Sequence, residues 1–122
     1  MEIKKSELGD RHPSTAASLN NLAALYDSMG QYDRALPLYE SALEIYKSEL
    51  GDRHPSTATS LNNLALLYYK TKHFEKAVTT MSEAVKIRQQ ALGNNHPDTI
   101  SVQENLALLQ KKLEETENLT EN

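Results

Sequence analysis

Apolar residues recur along this chain with the spacing of amphipathic α-helices. In two segments they fall at i, i+3, i+4 and i+7, which places them on one face of a helix. The two stripes, which lie 42 residues apart, are Leu19, Leu22, Ala23 and Tyr26, and Leu61, Leu64, Ala65 and Tyr68. Further apolar stripes that begin at Ala35 and Ala77 predict a second helix after each of these.

Prolines and glycines divide the stripes into separate helices. Proline suits a first helical turn and glycine suits the position after a helix end. These residues are Pro13, Pro55 and Pro97 at helix starts, and Gly9, Gly30, Gly51 and Gly93 at helix ends. The predicted helices cover about 1–8, 13–29, 32–50, 55–72, 74–92 and 97–116, with a frayed tail at 117–122. Pro37 is expected around the first turn of its helix, and no glycine marks the turn near Lys72.

An internal repeat organises the whole chain. The segment Leu8–Ala16 returns letter for letter as Leu50–Ala58 and in altered form as Leu92–Ile100, so the period is 42 residues. A fixed period of about 20–50 residues is typical of a solenoid in which each unit packs on its neighbours. The sequence therefore predicts a single all-α domain of antiparallel helix hairpins. It covers 1–116, divided into a repeat remnant at 1–8, repeats at 8–49 and 50–91, and a partial repeat at 92–116.

The motifs of this repeat resemble those of the tetratricopeptide repeat family. Leu-Gly-x-x-His-Pro, Leu-Asn-Asn-Leu-Ala and Leu-x-x-Leu-Ala-x-x-Tyr, at a period of 42 residues, are similar to the kinesin light chain type, which bacterial arrays also carry. The resemblance implies a right-handed superhelix whose first helices line a concave groove. It also implies a scaffold that binds peptide segments of partner proteins there, without cofactor or catalysis. The near-identical units suggest a fragment of a longer bacterial array.

The predicted groove face lies beside the buried stripe of each first helix. The candidate peptide-binding residues are Asn20, Asn21, Asn62, Asn63, Leu66, Tyr69, Lys70, Ser101, Asn105, Leu108 and Lys112. Asparagine is a poor helix former, so its recurrence in the middle of all three first helices needs a reason. One hypothesis is a ladder of amides that binds an extended peptide backbone. The other is that the amides bond to each other or to the adjacent helix and fix the stacking of the units.

Charge adds a weak preference for the ligand of this groove. Lys70, Lys111 and Lys112 would attract an acidic peptide, although Asp27 and Glu104 oppose them. The chain as a whole has 13 Lys+Arg against 17 Asp+Glu, a formal charge of -4, which disfavours a nucleic-acid binder. We therefore expect a protein or peptide partner and no nucleic acid.

Composition and motifs exclude several other classes. The chain has no cysteine, which rules out disulfides and thiol chemistry. No apolar run approaches the roughly 20 residues of a membrane span, and the first residues lack the apolar stretch of a signal peptide. No nucleophile elbow, phosphate loop or metalloprotease motif occurs. We expect a soluble, cytoplasmic protein that is not an enzyme, holds no cofactor and does not bind membranes.

One histidine per repeat could suggest a metal site. His12, His54 and His96 occupy equivalent positions, but equivalent positions on stacked helices lie about 8–10 Å apart. Ligands of one zinc ion must each approach to about 2 Å. These histidines are therefore expected in the loop or at the helix start, and no metal is expected.

Three further hypotheses remain open. The main alternative to peptide binding is a structural spacer or oligomerisation segment of a larger multidomain protein. Helical repeats that read single-stranded RNA are a second alternative, which the acidic charge and the long repeat disfavour. An array of few units also leaves apolar surface at its ends, which predicts self-association end to end or by exchange.

Overall fold

The chain folds into α-helices joined by short turns. The computed structural model describes residues 12–121, with side chains up to residue 119. In chain order the helices are α1 (Pro13–Ser28), α2 (Tyr32–Leu50), α3 (Pro55–Lys70), α4 (Phe74–Leu92) and α5 (Pro97–Glu121). Each helix packs against the next one along the chain. Over the described residues there is no β-strand, and the predicted all-α solenoid is confirmed.

The predicted helix bounds hold to within one residue except at two ends. α3 ends at Lys70, two residues before the predicted end, because the chain reverses at Lys72. α5 continues to Glu121, past the predicted helix end near residue 116, and fraying of 117–122 stays a prediction. That stretch contains neither glycine nor proline, and nothing in it breaks the helix. The predicted helix at 1–8 and the predicted break at Gly9 lie outside the described residues.

One histidine caps the start of each first helix. The imidazole Nδ1 atoms of His12, His54 and His96 each accept a hydrogen bond of 3.0 Å from the backbone N–H two residues further on. These N–H groups have no acceptor within the helix, so each imidazole satisfies a donor that the first turn leaves open. The predicted helix-start role of the three histidines is confirmed.

The turns inside the two hairpins share one geometry but differ in residue type. After α1, Gly30 takes a left-handed φ of 77°, and the N–H groups of Gly30 and Gln31 donate to the carbonyls of Asp27 and Tyr26. After α3, Lys72 takes a φ of 68° at the equivalent position, with the same two hydrogen bonds. This pair of bonds closes a helix end in a Schellman motif. Lys72 therefore adopts a conformation that glycine adopts more readily.

Pro37 lies inside α2. The helix begins at Tyr32, as predicted, which makes Pro37 its sixth residue. Only the first four N–H groups of a helix lack an internal acceptor, so the expectation of a first-turn proline is wrong. The carbonyl of Asp33 loses a donor, yet the helix continues to Leu50, and both Asp33 and Pro37 are exposed to solvent. In α4 the equivalent residue is Thr79, whose hydroxyl donates to the carbonyl of Glu75 at 3.0 Å.

Alanines set the close approach of the helices. Four pairs of alanines, each pair 42 residues apart, are fully buried. They are Ala16 and Ala58, Ala23 and Ala65, Ala35 and Ala77, and Ala42 and Ala84. Tyr39 and Leu67 lie in one core cluster, and Met81 and Leu109 in another. Ala107, the equivalent of Ala23 and Ala65, is exposed, because among the described residues no second helix packs on α5 as α2 packs on α1 and α4 packs on α3.

Candidate functional site

The helices α1, α3 and α5 carry the predicted groove residues, and the structure brings five of these residues together. A cleft of about 370 Å³ opens between α3 and α5. Its predicted members are Leu66, Tyr69, Asn105, Leu108 and Lys112. Leu109, Lys111 and Glu115 complete the lining. A cleft of this volume is at the small end of the range for ligand pockets, with room for a few side chains of a partner.

Three lining residues, Leu109, Lys111 and Glu115, are absent from the predicted groove set, although Lys111 is one of the lysines expected to attract an acidic ligand. Leu109 is 3% exposed and belongs to the core cluster, so it closes the bottom of the cleft. Glu115 follows Leu108 by seven residues, which places both on the same side of α5. That spacing could have identified Glu115. The helix was expected to end near residue 116, which put Glu115 in its last turn and outside the predicted groove.

The apolar part of the cleft is open to solvent. Leu108 is 66% exposed and Tyr69 is 41% exposed. The ring centroids of Tyr69 and Phe74 lie 5.8 Å apart, and the Nζ of Lys112 lies 5.9 Å from the Phe74 centroid. These aromatic and cation–π contacts hold Tyr69 and Lys112 beside the exposed leucine.

The asparagines differ between the two places where the first helices meet. The Nδ2 of Asn105 donates to the Oδ1 of Asn62 at 3.1 Å, which links α5 to α3. One repeat earlier, the Oδ1 of Asn20 is buried without a hydrogen-bond partner among the described residues. Asn63 is half-buried and Asn21 is exposed. Bonding between amides therefore occurs for Asn62 and Asn105, and a ladder for ligand backbone stays a prediction for Asn21 and Asn63.

Lys70 is not the available cation that the sequence suggests. Its Nζ lies 2.8 Å from the Oδ1 of Asp27 on α1, and the Asp27 side chain is only 12% exposed. The carboxylate of α1 already neutralises Lys70, and attraction of an acidic ligand by Lys70 stays a prediction. Ser101 is exposed on α5 but does not line the cleft.

Asp27 also acts on a tyrosine of α2. Burial, followed by the negative charge of Asp27 and a hydrogen bond to its carboxylate, raises the pKa of Tyr39. Asp27, Tyr39 and Lys70 thus form a polar cluster between α1, α2 and α3, called here the Asp27 cluster. One repeat later, the equivalent residues are Tyr69, Met81 and Lys112.

A larger cleft of about 690 Å³ lies between the C-terminal half of α5 and the turn from α3 to α4. It exists because α5 extends past the position where the other first helices end. Its charged lining residues are Lys72, Glu75, Lys76 and Glu117. These charges are of both signs, and none of the predicted groove residues lines this cleft.

Within residues 12–121, no three histidine or carboxylate side chains converge in a way that could hold a metal ion. None of the five helices combines the length and apolar character that crossing a membrane requires.

Paired helices with buried alanines at a 42-residue period define a helical-repeat protein. The tetratricopeptide repeat family model matches residues 1–48, 28–90 and 56–118, which together include nearly the whole chain. The chain therefore belongs to the tetratricopeptide repeat family. Repeats of this family generally mediate protein–protein interaction and are typically non-catalytic.

Two solved structures identify the repeat type. BtubC (BKLC) from P. vanneervenii shares 31% identity over 90% of this chain, with a TM-score of 0.79. A protein described as a kinesin light chain of Podosopora anserina, with nearly identical TPR-like repeats, shares 31% identity over 88% of this chain, also with a TM-score of 0.79. The chain spans 44% and 51% of their lengths. The kinesin light chain-like type is confirmed. No curated protein matches the chain.

Proposed function

We propose that this chain binds an extended peptide segment of a partner protein along α1, α3 and α5, with its strongest contacts between α3 and α5. The observation that carries the proposal is the 370 Å³ cleft, in which five residues chosen from the helical register lie together. Exposed Leu108 and Tyr69 offer apolar surface to one large side chain of the ligand. Contiguous exposed apolar surface of this kind is typical of interaction sites. The cytoplasmic location expected from the sequence stays a prediction.

The charge of the cleft favours an acidic residue in the ligand. Lys111 and Lys112 line the cleft, and neither has an ion pair with a described residue. Glu115 is the one carboxylate of the lining. Lys70, by contrast, is already paired with Asp27. The proposed ligand therefore places an apolar side chain against Leu108 and an acidic one near the two lysines.

A structural role is the second candidate, and the asparagines favour it. The hydrogen bond from Asn105 to Asn62 connects two repeat units without any ligand. If this is the main role of the asparagines, the chain is a spacer or oligomerisation segment. Asn62→Ala would then lower the free energy of unfolding, by about 1 kcal/mol for one lost hydrogen bond, while no peptide would bind.

The peptide proposal is tested by screening a peptide library and measuring the affinity of a selected peptide by fluorescence polarisation. Tyr69→Asp places a carboxylate opposite Lys112, in the register that joins Asp27 to Lys70. We expect this change to weaken binding of an acidic peptide about tenfold. Tyr69→Asn is the matched control, because it removes the same ring without adding a charge.

A second pair of variants tests the lysines directly. Lys112→Ala should weaken binding and reduce its dependence on salt. Lys86→Ala removes an exposed lysine of α4 that does not line the cleft and should leave the affinity unchanged. Equal effects of the two changes, or no selected peptide at all, would contradict peptide binding in this cleft.

A further inference from the structure

The C-terminal half of α5 carries a stripe with leucines at its two ends and opposite charges between them. Leu108, Lys112, Glu115 and Leu119 follow each other at i, i+4, i+7 and i+11, which places them on one side of the helix. This spacing is the one by which two helices pack along a common seam. Leu108 and Leu119 are 66% and 77% exposed, more than any other large apolar residue with a described side chain. These four residues are called here the α5 stripe.

The α5 stripe is separate from the sides of α5 that repeat packing uses. Val102 and Leu109 belong to the core cluster and are buried. Ala107, the equivalent of the buried alanines of α1 and α3, lies about 100° around the helix from Leu108, on the side away from Leu109. On α3 the equivalent of Leu108 is Leu66, which lines the cleft although both α2 and α4 pack on α3. The packing of repeats therefore leaves this side of a first helix open.

The order of the four residues makes the α5 stripe complementary to itself. When two copies of α5 run antiparallel with residues 113 and 114 at the centre, Leu108 lies opposite Leu119 of the other copy. In the same register, Lys112 lies opposite Glu115 of the other copy. The leucines are then removed from water and each charge meets an opposite charge. A parallel pair would instead place lysine against lysine and glutamate against glutamate, which repel.

The charges of the α5 stripe are available for this pairing. Neither Lys112 nor Glu115 has an ion pair with a described residue. The Nζ of Lys112 lies 5.9 Å from the ring centroid of Phe74, which keeps the ammonium group beside the stripe. Every charged residue from 113 to 121 is a glutamate. The acidic end of one α5 is therefore attracted to the lysines in the middle of the other.

The length of α5 gives two copies room to meet. The position equivalent to Lys70, where α3 ends, is Lys112, and α5 continues from there to Glu121. At about 1.5 Å per residue, the extension is about 13 Å long. In the antiparallel pair the extension of each copy lies along the α5 of the other, so the remaining helices of the two copies lie toward opposite ends. The contact is smaller than a standard interface of about 1,600 Å², so we expect a micromolar Kd.

We propose that the α5 stripe is the interface of a symmetric dimer, in which α5 packs antiparallel on α5 of a second copy. Because both copies use the same residues, the contact closes at two chains and does not grow into a filament. Leu108, Lys112 and Glu115 also line the 370 Å³ cleft, so the second copy covers this cleft and competes with a bound peptide. Only the competition rests on the proposed peptide function, and the dimer itself does not.

Charge reversal and its repair test the interface. Sedimentation equilibrium from low to high micromolar concentrations should show a monomer–dimer equilibrium for the unmodified chain. Lys112→Glu sets carboxylates against each other at both ends of the symmetric contact and should raise the Kd about tenfold. Combining it with Glu115→Lys restores opposite charges and should restore the dimer. Lys86→Glu is the matched control, because it makes the same charge change at an exposed lysine of α4 and should leave the Kd unchanged.

A second measurement tests the orientation of the two helices. The chain has no cysteine, so introduced thiols have no competitor. On oxidation, a mixture of Leu108→Cys and Leu119→Cys should give a disulfide-linked dimer of the two variants. Leu108→Cys alone should not, because its two copies lie about 16 Å apart along the antiparallel pair, too far for a disulfide.

Glu115→Lys separates the dimer from the peptide proposal. It should weaken the dimer, because lysines then face each other, and should retain or strengthen binding of an acidic peptide, because it removes the carboxylate of the cleft. A monomer at every concentration, growth beyond dimers, or no recovery in the double variant overturns the dimer. A disulfide-linked dimer of Leu108→Cys alone also overturns it, because that product requires a parallel pair.

Discussion

The two complete repeat units, unit one (α1 and α2) and unit two (α3 and α4), contain nearly the same motif in different surroundings. Leu25 of unit one is 54% exposed, whereas its equivalent Leu67 is fully buried. The difference arises because α2 lies in front of α3, while no described helix lies in front of α1. In a solenoid, a leucine that recurs in every unit contributes to stability only where the helix of an adjacent unit covers it.

The two units also use different chemistry to contact the next first helix. Unit one presents Asp27, which binds Lys70 of α3 at 2.8 Å. Unit two presents Tyr69 in the same place, which packs on Phe74 and leaves Lys112 without a carboxylate partner among the described residues. At the contact between α1 and α3, the positive charge is therefore neutralised within the chain. The contact between α3 and α5 retains positive charge beside an apolar cleft, which makes it the better place for a ligand.

The largest expected effect concerns the buried leucine of unit two. Leu67→Ala should lower the free energy of unfolding by about 2–5 kcal/mol, because it opens a cavity between α2 and α3. Leu25→Ala, the same change in unit one, should cost about 1 kcal/mol or less, since half of that side chain already contacts solvent. Urea denaturation of both variants measures the difference. Equal losses would mean that Leu25 is covered in solution.

A smaller effect is expected at the turns inside the two hairpins. Lys72 has a φ of 68°, a conformation that costs a side chain with a Cβ about 1 kcal/mol. Lys72→Gly should therefore raise the free energy of unfolding by about 0.5–1 kcal/mol. Gly30→Lys should lower it by a similar amount. An added Cβ at Gly30 meets no atom within 4 Å, so the cost there is conformational rather than steric.

Lys72→Ala is the matched control for this turn, because it removes the charge and most of the side chain but keeps the Cβ. Thermal unfolding of Lys72→Gly, Lys72→Ala and Gly30→Lys separates the effect of the backbone angle from the effect of the lysine side chain. Stabilisation by alanine equal to that by glycine would show that the lysine side chain, and not its backbone angle, is unfavourable.

The helices could be predicted from the sequence because their ends carry proline, glycine and a regular apolar spacing. The turn at Lys72 could be placed only approximately, since no residue there signals a left-handed backbone. The extension of α5 to Glu121 could not be predicted either. The sequence there has no helix breaker, and that absence does not distinguish a helix that continues from one that frays.

The candidate site could be predicted only in part. Leu66, Tyr69, Asn105, Leu108 and Lys112 share a cleft because helical register determines which side chains face the same way. The pairing of Lys70 with Asp27, 43 residues away, depends on the distance and angle between α1 and α3. The hydrogen bond between Asn105 and Asn62 depends on α3 and α5 in the same way. A single sequence does not contain these relations between helices.

The smallest expected effect concerns the tyrosine of the Asp27 cluster at alkaline pH. Burial and the carboxylate of Asp27 raise the pKa of Tyr39 above its ordinary value. The folded state therefore holds the phenolic proton more tightly than the unfolded chain does. The resulting stability is fully present below a pH of about 10, where an unfolded tyrosine begins to ionise, and is lost as the pH rises through the raised pKa. Unit two has Met81 at this position, and its thioether does not titrate.

Asp27→Asn should lower the pKa of Tyr39, although burial keeps part of the shift, and should make the loss of stability above pH 10 less steep. Tyr39→Phe should remove this contribution altogether. Urea denaturation between pH 9 and 11, with tyrosine absorbance followed in parallel, measures both slopes.

Tyr68, whose pKa is raised by burial and by Glu40, serves as the internal comparison. Its own contribution should remain in the Asp27→Asn variant and disappear in Tyr68→Phe. An unchanged slope in Asp27→Asn would show that burial alone raises the pKa of Tyr39. The carboxylate of Asp27 would then have no effect on the Tyr39 phenol.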